Sequence, residues 1–251
     1  MTGIPGLKIF VSGKGHGDMS LTDFENEGFG CNDSVSKRAI RRIKSFPAIY
    51  WRVIQNRINF FRTCEINPRQ VFCPTLGPTD KIIFVNRLNK DRFGGSGVHF
   101  NSRFKCDAII TDVFDLALMF LPADCPVVIL FDRRRHILTQ IHSGREGIFK
   151  NIAGKVARLM KEEYFCDPSD IVAWFSPHLC KDCHILSFIS FLGNPEYEKI
   201  KPAIVEVKGR WSFDMRLAIE IQLGLEGISN IISGPTTCTL CGEEDLYSHR
   251  G

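Results

Sequence analysis

The chain has 251 residues, 44% hydrophobic and 24% charged, a composition typical of a globular protein with one large or two small domains. Its net charge is +4, and because the basic residues are spread along the chain, this charge does not favour a nucleic-acid partner. The N-terminus has no apolar run of signal-peptide length and no segment reaches the roughly 18 apolar residues of a membrane span, so we predict a cytoplasmic protein without membrane contact.

The first part of the chain mixes predicted strands, helices and a loop. Strands are predicted at 7–12 and 81–86, helices at 34–46 and 48–61, and a loop at 91–104. The helix at 48–61 has the strongest pattern, because its apolar residues recur near the i, i+3, i+4 spacing.

Short apolar runs rich in β-branched residues follow from residue 107 onward. The runs are DAIITD, LALMFL, PVVILFD and HILTQIH, which predict strands of a mostly buried sheet. Further helices are predicted at 147–165 and 214–225, and further strands at 171–176 and 228–233. Since no repeat or linker interrupts the pattern, we predict one α+β domain over residues 1–251, with mixed β-sheets flanked by helices.

Cys125 and His142 lie at the ends of two of these predicted strands. Cys125 precedes PVVILF, after a bend at Pro122 and Asp124, and His142 ends HILTQI. If the two strands form a hairpin turned at DRRR, the two side chains face each other across one edge. Cysteine and histidine then combine as nucleophile and base, or as ligands of zinc or copper. The simpler alternative is a buried packing cysteine and a capping histidine.

The chain contains ten cysteines, and four of them form two CxxC pairs, CKDC at 180–183 and CTLC at 238–241. Two such pairs are a strong signal for structural zinc in a compact zinc ribbon. Here more than 50 residues separate the pairs. We therefore predict that these four cysteines are thiols packed near the active cleft that the protein would have as an enzyme, with a four-cysteine zinc site as the alternative.

Several motifs resemble, in order, those of one protein family. PADCPVVILFD and IHSGREG are similar to its TADC–P–V–L and HAGWRG elements, and DAIITDVFDLAL matches the strands before them. SPHLCKDCHIL, FDMRLAIEIQLGLEGI and CTLCGEEDLYSHR resemble its later elements. The family is that of the bacterial YfiH-like proteins, also called multicopper polyphenol oxidase or laccase-domain proteins and regarded as purine nucleoside phosphorylases.

This resemblance implies a fold, a reaction and a metal. The fold is the α+β fold shared with cytotoxic necrotising factor-type deamidases. The reaction is cleavage of purine nucleosides such as adenosine or inosine with phosphate, with adenosine deamination as a side activity. The metal is zinc held by a His–Cys–His set, and the older laccase label implies copper instead.

The resemblance also assigns residues to these roles. The family cysteine falls on Cys125 and its second histidine on His142. Its first histidine, in a QVHG motif, aligns with Asn89, which is a poor zinc ligand, and His99 is the candidate replacement. The predicted substrate-binding residues stand in or beside the same motifs: Asp124, Ser143 and Arg145.

Departures from the family pattern keep two other functions open. Glu146 stands where the family has arginine and would repel phosphate, unless Arg145 compensates. The first alternative is a metal-free thiol hydrolase or deamidase, with Cys125 as nucleophile and His142 as base. The second is a catalytically degenerate member that acts as a binding protein, which Asn89 and Glu146 both favour.

Overall fold

The structure is a computed structural model, and it describes residues 4–19, 48–77, 79–99, 102–186, 193–207, 209–232 and 237–250. The helix predicted at 34–46 lies outside these ranges. The helices are α1 (Ala48–Thr63), α2 (Ser96–His99), α3 (Arg145–Phe149), α4 (Ile152–Tyr164), α5 (Pro195–Ile200) and α6 (Met215–Leu225). The strands are β1 (Val71–Phe72), β2 (Pro74–Thr75), β3 (Ile82–Val85), β4 (Ser102–Lys105), β5 (Ala108–Thr111), β6 (Ala117–Leu118), β7 (Val127–Asp132), β8 (Ile137–His142), β9 (Ile171–Phe175), β10 (Ile185–Leu186), β11 (Ile204–Val207), β12 (Arg210–Phe213) and β13 (Ile231–Ile232).

A six-stranded mixed sheet forms the centre of the fold, in the order β13-β9-β7-β8-β5-β3. β7 pairs antiparallel with both β8 and β9, β8 pairs antiparallel with β5, and the outer pairs β3–β5 and β9–β13 are parallel. β10, β12 and β11 form a smaller antiparallel sheet, and the remaining four strands form two short parallel pairs. The mixed α+β class predicted from the sequence is therefore confirmed.

Hydrophobic clusters cover both faces of the central sheet, and successive residues of its strands pack into the clusters on opposite sides. Ile110 and Leu130 pack with α4 and α6 in the largest cluster, whereas Ile109 packs with Phe72 on the other face. Every residue of β5, β7 and β9 is buried. This explains why these strands read as continuous apolar runs rather than as alternating patterns.

The predicted elements agree with the structure except at four places. Of the predicted strand LALMFL only Ala117–Leu118 forms a strand, β6, which is partly buried and pairs with β1 outside the central sheet. Residues 7–12 form no strand; the chain turns at Gly6, whose φ is 84°, and Leu7 packs against the outside of the central sheet. The predicted loop at 91–104 instead contains α2 and β4. The predicted helix 147–165 is divided into α3 and α4 at Asn151, whose φ of 55° breaks the helix and whose side chain accepts from the Gly154 N–H.

No helix within the described ranges has the length and apolar character needed to span a membrane.

A leucine comparison tests which positions stabilise the fold. Leu130 is fully buried in β7, whereas Leu225, at the end of α6, is 64% exposed. We expect Leu130→Ala to lower the free energy of unfolding by about 2–5 kcal/mol, because it removes buried methyl groups and leaves a cavity. Leu225→Ala, the control, should change it by less than about 0.5 kcal/mol. Urea denaturation measures both, and equal losses would contradict the assigned core.

Candidate active site

The predicted hairpin is present, and it brings Cys125 and His142 to one end of the central sheet. Val127 at the start of β7 pairs with His142 at the end of β8, and the Ser143 N–H donates to the Pro126 carbonyl at 2.9 Å. The turn at the far end is closed by Asp132, whose carboxylate accepts from the Arg134 and Arg135 N–H groups at 2.8 Å. Because Cys125 lies two residues before Val127, the antiparallel register sets it beside His142.

Asp107, directly before β5, fixes the histidine ring. Its carboxylate lies 2.9 Å from His142 Nδ1, and its carbonyl accepts from the His142 N–H at 2.7 Å. The same carboxylate accepts from the Thr79 hydroxyl at 2.6 Å and from the N–H groups of Thr79 and Gly77 at 2.7 and 3.1 Å. Burial would raise the pKa of Asp107, but the hydrogen bonds from His142 and Thr79 outweigh it and keep the pKa below its ordinary value.

The imidazole of His142 is held in its charged form. Burial of the ring disfavours that form, but the hydrogen bond to Asp107 and the interaction with Cys125 raise the pKa of His142 to about 9. A methyl group added at Gly144 would lie 3.1 Å from Cys125 Sγ and 3.4 Å from His142 Nε2. The thiol and Nε2 therefore converge on the same point, and Asp107, His142 and Cys125 form a hydrogen-bonded series.

This series lies in a cleft of about 440 Å³. Beside Asp107, Cys125 and His142, the cleft is lined by Leu76, Gly77, Ala123, Asp124, Gly144, Arg145, Glu146, Gly147, Leu179, His184, Met215, His249 and Arg250. Burial and the nearby Arg250 lower the pKa of His184 to about 4, so this second imidazole is neutral at pH 7. The cleft thus combines a thiol and two arginines with three histidines (His142, His184 and His249) and three carboxylates (Asp107, Asp124 and Glu146).

Two of the three predicted substrate-binding residues line the cleft. Arg145 is exposed within its wall. Asp124 also lines it, but its carboxylate accepts from the Thr239 hydroxyl at 2.7 Å and the His249 N–H at 2.9 Å. Ser143 is fully buried and is not among the lining residues, so the structure does not bring this hydroxyl to the cleft.

Asn89 does not join Cys125 and His142. It precedes the short 3-10 helix Lys90–Arg92, where its side chain accepts from the Asn86 N–H and donates to the Phe84 carbonyl. Leu76 and Gly77, which follow β2, line the cleft instead. The side chain of His99, the candidate replacement, lies outside the described part of the chain. His178 is buried with Nδ1 2.7 Å from the Ser176 carbonyl, and it does not line the cleft either.

The cleft does not fit the zinc site that the resemblance implies. Cys125 Sγ and His142 Nε2 could act as two ligands, but among the described residues no third cysteine, histidine or carboxylate lies close enough to complete a metal site with them. Zinc sites in proteins use three or four protein ligands. Over the described residues, one cluster of three or more cysteine, histidine or carboxylate ligands could hold a metal ion, and it lies elsewhere: Cys180, Cys183, Cys238 and Cys241. The two CxxC pairs, which we expected to be packed thiols, therefore lie together.

Four polar residues of the cleft lie outside the predicted site, namely Asp107, His184, His249 and Arg250. For Asp107 the sequence carries one signal, an acidic residue directly before a wholly apolar run. His184 follows the CKDC pair, and Arg250 belongs to the C-terminal segment. No local pattern connects either of them to Cys125, because the contacts depend on the tertiary fold.

Comparison with known proteins agrees with this structure. A family model described as multi-copper polyphenol oxidoreductase laccase matches residues 50–251. The chain belongs to this laccase family. Related proteins of the family include a purine nucleoside phosphorylase of Clostridium acetobutylicum, 29% identical over 148 residues that span 57% of this chain and 60% of the relative. A purine nucleoside phosphorylase of Aquifex aeolicus is 28% identical over 72% of this chain and 76% of its own length.

Solved structures show the same laccase-family fold. YfiH of Bacillus licheniformis superposes with a TM-score of 0.72 at 23% identity, over 80% of this chain and 76% of that one. YlmD of Geobacillus stearothermophilus gives a TM-score of 0.71 at 21% identity, over 80% and 75%. The match to the first curated relatives spans about three fifths of their length, 60% and 59%.

Replacing the Asp107 carboxylate tests the charge state of His142. We expect Asp107→Asn to lower the pKa of His142 from about 9 to near or below its ordinary value of 6.5, measured by NMR titration of the ring protons. The pKa of His142 in the folded protein lies above its value in the unfolded chain, so protonation of this ring contributes to the free energy of unfolding. That contribution is fully present below pH 6.5 and is lost as pH rises through about 9. Its upper limit is about 3 kcal/mol.

The control is Asp115→Asn, at an exposed position away from the cleft. It should leave the His142 midpoint unchanged, and the difference in unfolding free energy between wild type and Asp107→Asn should shrink as pH rises from 6.5 to 9. An unchanged midpoint in Asp107→Asn would refute the assignment of the ion pair.

Proposed function

We propose that the Cys125–His142 cleft cleaves purine nucleosides with phosphate. The observation that carries this proposal is the His142 ring, whose Nδ1 lies 2.9 Å from the Asp107 carboxylate in a cleft that also contains Arg145 and Arg250. Cationic groups in one cleft favour the binding of phosphate, and a protonated imidazole can donate a proton to a departing base. Glu146 lines the same cleft and repels phosphate, so the proposal requires Arg145 and Arg250 to outweigh its charge. The phosphorylase names of the related proteins support the same substrate class.

The proposed reaction uses only groups of this chain. A phosphate oxygen attacks C1′ of the ribose while the bond from C1′ to the purine nitrogen breaks, and the electron pair stays on the purine. His142 gives its Nε2 proton to the purine and regains one from the phosphate. The products are the free base and ribose 1-phosphate. Arg145 and Arg250 would balance the phosphate charge, and Asp107 would keep the ring oriented.

A nucleoside assay tests this reaction. Purified protein incubated with adenosine, inosine or guanosine should release free base only when phosphate is present, as followed by chromatography. We expect His142→Ala to lower kcat by about 10²–10⁴-fold, because a general acid contributes that much. We expect Arg145→Ala to raise KM for phosphate.

Arg134→Ala is the matched control, since Arg134 is 80% exposed at the opposite end of the hairpin. It should leave kcat and KM unchanged. Base release that is independent of phosphate would contradict phosphorolysis, and no release from any purine nucleoside would favour the binding-protein alternative.

A second candidate function is that of a thiol hydrolase or deamidase, favoured by the order Asp107, His142, Cys125. This is the arrangement of orienting group, base and nucleophile that activates a cysteine. In such a reaction the Cys125 sulfur, whose proton is carried by the His142 imidazolium, attacks the carbonyl carbon of an amide, and the imidazolium transfers that proton to the leaving amine. Water then releases the acid and restores the thiol.

Selective alkylation tests this second candidate. We expect iodoacetamide to modify Cys125 faster than the buried thiols, because Cys125 is partly exposed and contacts the imidazole. His142→Ala should slow the reaction at Cys125 and leave the slow modification of buried Cys64 and Cys166 unchanged, as measured by peptide mass spectrometry. An equal rate at Cys125 in both proteins would contradict activation by His142.

A further inference from the structure

The four cysteines of the two CxxC pairs form a compact cluster outside the cleft. The sulfur atoms of Cys180, Cys183, Cys238 and Cys241 all lie within 4.8 Å of one another. The sulfurs of Cys180 and Cys241, one from each pair, are 3.8 Å apart. A regular tetrahedron with metal–sulfur bonds of about 2.3 Å has sulfur–sulfur edges of about 3.8 Å. All four thiols are free, so no disulfide accounts for their proximity.

Backbone hydrogen bonds close a tight turn within each CxxC pair of the cluster. In the first pair, the N–H groups of Cys183 and His184 donate to the Cys180 carbonyl at 3.1 and 3.0 Å, which turns the chain between the two thiols. In the second pair, the Gly242 N–H donates to the Cys238 carbonyl at 3.0 Å. A side chain at position 242 would collide with that carbonyl, so glycine is required at this turn.

Backbone N–H groups also point at one of the sulfurs. The N–H groups of Cys180, Leu240 and Cys241 lie 3.3, 3.4 and 3.5 Å from Cys238 Sγ. Three donors directed at one sulfur favour the thiolate over the thiol, and the thiolate is the form that binds metal. The two pairs are joined by a parallel bridge between His178 and Cys238, so the fold itself brings them together.

We propose that these four cysteines bind a structural zinc ion that fixes the C-terminal segment 237–250 against the cleft. Tetrahedral four-sulfur sites hold zinc or iron, and two CxxC pairs are the ligand pattern of structural zinc sites, which leave no open position for a substrate. The site is separate from Cys125 and His142, so the inference does not rest on the proposed function.

The segment 237–250 has little secondary structure or buried surface of its own to fix its position. It contains no helix and no strand beyond the single bridge at Cys238, and few of its side chains are buried, namely Cys238 and Leu246. Yet it supplies two of the hydrogen bonds to Asp124, from Thr239 and His249, and two residues of the cleft wall, His249 and Arg250.

Asp124 connects the zinc cluster to the active cysteine. It precedes Cys125, and its φ of 71° lies in the left-handed region, which costs free energy for any residue except glycine. The two hydrogen bonds from the C-terminal segment hold its carboxylate and compensate for this backbone conformation. Zinc therefore stabilises the position of Cys125 through the segment it fixes.

Elemental analysis of the full chain, purified without an affinity tag, tests the proposal. We expect about one zinc per chain. We expect the zinc to be lost in a Cys180→Ser/Cys241→Ser variant and retained in Cys125→Ser, the matched control at another partly exposed cysteine. The double variant should also have a lower Tm and faster proteolysis of the C-terminal segment.

A second measurement on the wild type keeps the test valid if the double variant fails to fold. Titration with an organomercurial reagent should release zinc in step with the modification of four thiols, and cobalt in place of zinc should give the intense visible absorption of a tetrahedral thiolate site. Zinc that is lost in Cys125→Ser, iron in place of zinc, or a wild-type chain without metal and with four freely reactive thiols would each overturn the proposal.

Discussion

The antiparallel register of β5, β8 and β7 is the constraint on which the site depends. The register pairs Val127 with His142 and Ala108 with Ile141, so Cys125, His142 and Asp107 all emerge at the same end of three neighbouring strands. A shift of one residue in either pairing would turn His142 toward the opposite face and separate the three groups. In β8 the buried residues Ile137, Thr139 and Ile141 alternate with partly exposed ones. A one-residue shift would exchange the two sets and move Ile137 and Ile141 out of the core, so the core enforces the geometry of the site.

The polar interactions at this end of the sheet depend on that apolar core. A carboxylate as buried as that of Asp107 is costly unless it is fully hydrogen-bonded, and here it receives bonds from Gly77, Thr79 and His142. The Gly77–Thr79 turn follows β2, which belongs to a different, smaller sheet. The charge state of His142 is thus set jointly by two sheets, and the site is a property of the whole domain rather than of the hairpin alone.

The sequence predicted the parts of the site that depend on nearby residues. The hairpin could be predicted because its two strands and its turn lie within about twenty residues, where pairing geometry is strongly restricted. The role of Asp107 could not be predicted, since its contact with His142 spans 35 positions and depends on the neighbouring β5–β8 pairing. The same limit explains why Asn89 was assigned to the site. Alignment to a short motif placed the family's first histidine on this turn residue, whereas in the fold Leu76 lines the cleft and Asn89 does not. This limit also explains the CxxC pairs, which tertiary contacts such as the bridge between His178 and Cys238 bring together.

The family resemblance assigned both metal binding and chemistry to the Cys125–His142 site. We propose instead that the four-cysteine cluster binds the metal and that the Cys125–His142 cleft carries the chemistry. Among the described residues no third ligand lies close to Cys125 and His142, and Cys125 is hydrogen-bonded to the His142 imidazole. The four-cysteine cluster has the complete donor set of a metal site but is closed to substrates. Since the C-terminal segment carries both Cys238 and Cys241 and the groups that hold Asp124, the two sites are mechanically connected. In the arrangement that we propose, zinc acts on the cleft through the backbone of the segment it fixes, and the proposed chemistry depends on the protons of His142 and Cys125.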